Sequence, residues 1–135
     1  MRCDSTARRG ALDDALNLRL GGGPEAAAAA RRALSGLREE LDPSLVETMR
    51  LLATELVANS VRHAGGRDVT LRVLLSDASV GIEVTDAGPG FTPTAREEDQ
   101  DAGSGWGLYL VDRLADCWGV TRDGERTRVW AELRR

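Results

Sequence analysis

Residues 54–66, TELVANSVRHAGG, decide how the rest of the chain is read. Leu56 and Val57 continue upstream through Ala53, Leu52, Met49, Val46 and Leu45 as a wide apolar stripe of helical period. Ser44 and Glu47 have the spacing of a capping box, and Asp42 before Pro43 is an alternative cap. A helix is therefore expected from about residue 44 to His63, ended by Gly65-Gly66. Glu55 and Asn59 are four residues apart and share one face of it. That face borders the apolar stripe, so both groups belong at the edge of the core. A carboxylate there can act as a base. An amide oxygen there can help hold a hard cation such as Mg²⁺. On its own, such a pair is more often a solvated helix face.

Downstream, Val69, Leu71, Val73 and Leu75 alternate, then Val80, Ile82 and Val84 alternate, with Ser76-Asp77-Ala78 between. The short link makes these two strands an antiparallel hairpin. Residues 86–104 are rich in Gly, Pro, Thr and acids and read as a long loop, which in a compact domain is often functional. A helix follows from Gly105 to about Ala115, and two strands, 118–122 and 128–133, flank a turn at Asp123-Gly124-Glu125. Upstream, Leu16, Leu18 and Leu20 suggest a short strand. Gly21-Gly22-Gly23 breaks it, and Pro24 starts an alanine-rich helix reaching about residue 41. Residues 1–14 read as a flexible N-terminal segment and 15–135 as one domain. Helices interleaved with antiparallel strands predict an α+β fold of two layers, with a mixed, mostly antiparallel sheet and its helices on one face.

Bulk properties narrow the chemistry. The 135 residues fit one domain. The net charge of −4 does not favour nucleic acid as a direct partner. All 18 basic residues are Arg, so no lysine is present for Schiff-base chemistry or for a P-loop. Phosphate must be held by Arg, a metal ion or backbone N–H. Cys3 and Cys117 are too few for a structural zinc site, and reduced thiols are the simplest reading. With no long apolar run and no secretory signal, no membrane span is expected and the cytoplasm is the expected location.

Two glycine-bearing stretches complete the pattern. Asp86-Ala87-Gly88-Pro89-Gly90-Phe91 follows a strand directly. An Asp there can accept from an exocyclic amine, and Gly88 and Gly90 let the backbone approach a flat ligand. A plain strand-to-loop turn reads the same way. Gly103-Ser104-Gly105-Trp106-Gly107-Leu108 opens a helix, whose free N–H groups suit an anion. It is neither a P-loop nor a dinucleotide fingerprint. By themselves the glycines could simply start the helix.

In this order, the three stretches resemble the N box and two glycine boxes of the GHKL superfamily, whose ATP-binding domain is the Bergerat fold. Within it, TELVANSVRHAG, VTDAGPGF, GWGLYLVDRLADCWGV and VWAEL are similar to the bacterial anti-sigma factor serine kinases. The resemblance implies ATP and Mg²⁺ as cofactors. Asn59 would ligate Mg²⁺, Glu55 would be the general base, and Asp86 would hold the adenine amino group. Gly88 and Gly90 would shape that wall, and residues 92–104 would form a lid. Gly103, Gly105, Gly107 and Leu108 would meet the phosphates, with His63 as a further phosphate contact or a helix cap.

The implied function is phosphorylation of a serine on an anti-anti-sigma protein. A sigma factor is the other partner, transcription is the regulated process, and homodimers are common. A non-catalytic, ATP-dependent regulatory module is the alternative. A detached histidine kinase domain would need an acceptor histidine, and His63 is the only histidine in the sequence. One position departs from the family pattern. The Thr expected just before the last strand's Val-Trp is replaced by Arg128, with Thr127 one residue earlier, and such a shift turns a side chain to the other face.

Overall fold

The long central helix organises the molecule, as its stripe requires. A computed structural model describes residues 13–86, 102–124 and 126–135. They form β1 (Asp13–Leu20), α1 (Ala26–Ser35), α2 (Pro43–Ala64), β2 (Val69–Leu75), β3 (Ser79–Asp86), α3 (Ala102–Leu114), β4 (Cys117–Asp123) and β5 (Arg126–Arg134). Val46, Met49, Leu52, Ala53, Leu56 and Val57 of α2 are wholly buried. The helix packs against α1, α3, β2 and β3.

The strands form one sheet in the order β1-β2-β3-β5-β4. The sheet was expected to be mixed and mostly antiparallel, and all four pairings are antiparallel. β5 inserts between β3 and β4, so the final hairpin joins the sheet through its second strand. Leu71, Val73, Ile82, Val84, Val129 and Ala131 face the helices and enter the core. The intervening residues face away. The two-layer arrangement of a five-stranded sheet and three helices is the architecture expected above.

Local boundaries differ from the reading by a few residues, each for a physical reason. α2 starts at Pro43 with Asp42 as its N-cap, so the alternative cap prevails over the Ser44–Glu47 box. Proline at N1 has its φ preset and lacks the N–H that would be orphaned there. The Ser44 hydroxyl donates to the Asp42 carboxylate, which is the main cause holding that carboxyl below its ordinary range. Glu47 instead takes the guanidiniums of Arg38 and Arg50. α2 ends at Gly65, whose φ of 64° is left-handed, the conformation the Gly-Gly signal implied. α1 closes at Ser35, and its chain continues to residue 41 as turns rather than helix.

Cys117 is disulfide-bonded, against the expectation of reduced thiols, while Cys3 lies outside the described residues. Among the described residues, no helix is long and apolar enough to cross a membrane.

Candidate functional site

Helix α2 carries three of the expected site residues on successive turns. Glu55 is half-buried and Asn59 is almost wholly buried, with 1% of its surface exposed. This is the core-edge position that their spacing beside the stripe implied. The Arg62 guanidinium donates to Asn59 Oδ1 at 3.4 Å, and Asn59 Nδ2 has no acceptor among the described residues. His63 Nδ1 lies 2.8 Å from the Asn59 carbonyl oxygen, which is the geometry of the helix-cap alternative. Since a carbonyl only accepts, Nδ1 carries the proton in that contact.

Asp86 ends β3 and is buried. Its cross-strand partner is Thr127 of β5, itself fully buried. Directly opposed residues share a face, so Asp86 and Thr127 both point toward the helices. Arg128 pairs with Thr85 on the opposite face. The apparent departure at Arg128 is therefore corrected. The threonine beside Asp86 is Thr127, and Arg128 does not displace it. Sequence alone could not settle this, because the strand's register is set by its partner. The Thr127 hydroxyl has no hydrogen-bond partner among the described residues.

The helix bearing Glu55 and Asn59 packs on β3, which ends in Asp86, and on α3, which carries the glycines. Gly88 and Gly90 lie outside the described residues, as does the expected lid up to residue 101. α3 begins at Ala102, three residues ahead of the expected start. Gly103 and Gly105 thus fall among the first four helical residues, whose N–H groups have no helical acceptor. Gly107 and Leu108 lie beyond them, and Leu108 is buried in the core. The loop-like composition of residues 86–104 pointed to a later start. Burial of Leu108, Val111 and Ala115 anchors the helix, and the upstream turn continues it.

Ser60 is a residue the reading missed. It is fully buried beside Asn59, and its hydroxyl has no partner among the described residues. The available signal was its place on the apolar stripe, three residues after Val57 and four after Leu56.

The orphaned Thr127 hydroxyl fits a nucleotide, since Oγ1 can donate to or accept from a purine edge. Asn59 Oδ1, which accepts from Arg62, is the kind of oxygen a hard metal ion prefers. Among the described residues, no group of three or more His, Cys, Asp or Glu could hold a metal. A Mg²⁺ ion held here would draw on Asn59 together with phosphate oxygens and water.

Known proteins agree with this fold. A sensor histidine kinase, GraS of Staphylococcus haemolyticus, is 28% identical over 95 residues; the match covers 61% of this chain and 27% of that protein. The chain thus spans about a quarter of that relative. Among solved structures, the RsbU and RsbW domains of Rv1364c from Mycobacterium tuberculosis superpose with a TM-score of 0.65 at 22% identity, covering 88% of this chain and 32% of that one. The SiaB-SiaC complex from Pseudomonas aeruginosa gives a TM-score of 0.60 at 14% identity, covering 90% and 91%. The profile of the histidine kinase-like ATPase domain matches residues 22–133. With that match spanning most of its length, the chain belongs to the histidine kinase-like ATPase domain family.

Proposed function

We propose that this chain is an ATP- and Mg²⁺-dependent serine kinase that phosphorylates an anti-anti-sigma protein and, by binding a sigma factor, regulates transcription. The observation that carries the nucleotide half is the buried Asp86–Thr127 pair, whose threonine hydroxyl lacks a partner among the described residues, on a strand packed by the Glu55–Asn59 helix. In this reading Asp86 and Thr127 hold the adenine and Asn59 holds Mg²⁺. The N–H groups at the start of α3, with Gly103 and Gly105 there, receive the phosphates. Gly88 and Gly90 shape the adenine wall, while Gly107, Leu108 and His63 border the phosphate side. Mg²⁺ supplies charge neutralisation on the phosphates. Glu55, one turn before Asn59, takes the proton of the attacking hydroxyl. Positioning and charge stabilisation dominate such transfers. The likeness in fold to an RsbW domain and to SiaB in complex with SiaC supports a setting in which this domain works on a protein partner. A cytoplasmic homodimer belongs to the same reading.

The test is single-turnover labelling of a cognate antagonist with ATP, alongside a thermal shift. Ligand at a hundredfold excess over Kd adds about 2.7 kcal/mol of stability, or roughly 10 °C for a domain of this size. Asn59→Ala should lose most of that gain. Glu55→Gln should keep it and lose transfer. Equal labelling by wild type and Glu55→Gln would remove Glu55 as the base. A full thermal shift with no transfer to any antagonist would leave the non-catalytic regulatory module. The match to a sensor histidine kinase favours one further reading, transfer to a histidine. Acid separates the two, because phosphohistidine is acid-labile and phosphoserine is not.

A further inference from the structure

The face of the sheet turned away from the helices carries a cavity of about 300 Å³. One cross-strand row lines it. Thr70 of β2 opposes Thr85 of β3, Thr85 opposes Arg128 of β5, and Arg128 opposes Thr121 of β4. Opposed residues share a face, so three hydroxyls and a guanidinium run across four strands. Arg126, two residues before Arg128, adds a second guanidinium, and Arg72 with Glu83 completes the wall.

The charges in this wall do not balance. Glu83 is almost wholly buried and meets Arg72 at 3.5 Å. The same Arg72 guanidinium reaches Asp14 at 2.7 Å. Arg72 is thereby neutralised, whereas Arg126 and Arg128 have no ion pair among the described residues. The Nε atoms of Arg72 and Arg128 are buried with no acceptor there. A buried N–H left without an acceptor is destabilising, and a ligand rich in acceptors relieves it.

We propose that this cavity is an anion site for a phosphorylated small ligand, separate from the nucleotide site. The guanidiniums of Arg126 and Arg128 alone carry more N–H donors than the two oxygens of a carboxylate accept, and the terminal oxygens of a phosphate match them better. Guanidinium is also the cation best shaped for phosphate. The volume suits a small molecule rather than a protein surface. Arg128 and Thr127 are neighbours on β5 pointing to opposite faces, so the two sites stand back to back across one strand. The site does not depend on the kinase reading.

The experiment is calorimetric titration of the full chain with inorganic phosphate and with O-phosphoserine, using succinate as the carboxylate control. Saturable binding of either phosphate source is expected, unchanged in Asn59→Ala. It should weaken at least about tenfold in the double variant Arg126→Ala/Arg128→Ala, since one lost charge-assisted contact is worth about that factor. Arg128→Lys and Thr85→Val, which keep charge or shape, guard against misfolding and should weaken binding by smaller factors. Tighter binding of O-phosphoserine than of phosphate would assign the site to a phosphorylated organic molecule, and the reverse to the free ion. Binding lost in Asn59→Ala, binding untouched by the arginine variants, or succinate binding as tightly as phosphate would each overturn the proposal.

Discussion

A hydroxyl buried without a partner lowers stability until a ligand completes it, and Thr127 is such a group among the described residues. Thr127→Val keeps the shape and removes the orphan. The unliganded variant should therefore melt at or slightly above the wild-type temperature. Its affinity for ATP should fall about tenfold, the worth of one hydrogen bond of about 1.4 kcal/mol. Melting curves and ATP titration on the same samples check both halves. A variant with a lower melting temperature and unchanged affinity would give Thr127 a purely structural role. Asn59 is different, because its Oδ1 already accepts from Arg62. A metal ion bound at that oxygen must move the guanidinium aside.

Among the elements, α2 depends on how its ends are closed. A Cβ on Gly22 would sit 2.2 Å from the Arg67 carbonyl oxygen, just beyond the C-terminus of α2. Backbone cannot yield as a flexible side chain can, so Gly22→Ala should destabilise by about 2 kcal/mol or more, read by chemical denaturation. Gly65→Ala strains a left-handed φ and should cost about 1 kcal/mol. At the far end of α3, Trp118 Nε1 donates to Asp112 Oδ1 at 2.8 Å, joining that helix to β4. That bond is the main cause holding the Asp112 carboxyl below its ordinary range. A carboxyl depressed by folding contributes stability above its unfolded pKa, about 3.9, and loses it as pH falls through the lower folded value. Melting temperature should thus fall below about pH 4. Asp112→Asn should lie about 1 kcal/mol below wild type at neutral pH and meet it in acid. A gap that stays constant with pH would exclude this carboxyl as the source.

Over the whole molecule, stability rests on one core between α2 and the inner face of the sheet. Leu56 is fully buried in it, so Leu56→Ala should cost about 2–5 kcal/mol, measured by denaturant unfolding. Much of this was legible in the chain. The stripe from Val46 to Val57, the Gly65 terminus, the hairpin of β2 and β3, and Glu55 beside Asn59 all follow from periods and end signals within a few residues. The helix start at Ala102 was not legible, because the Gly-, Pro- and acid-rich composition of residues 86–104 reads locally as loop.

By itself, then, the amino-acid order determined, to within a few residues, which segments become helix or strand, since that depends on neighbours two to four residues away. Only the tertiary structure decided that β5 lies between β3 and β4. It thereby decided that Thr127 rather than Arg128 stands beside Asp86, and that three threonines meet Arg126 and Arg128 on the outer face. The deciding pairing is that of β3 with β5, strands far apart in the chain, where a shift of a single residue reverses the face and no local signal records the choice.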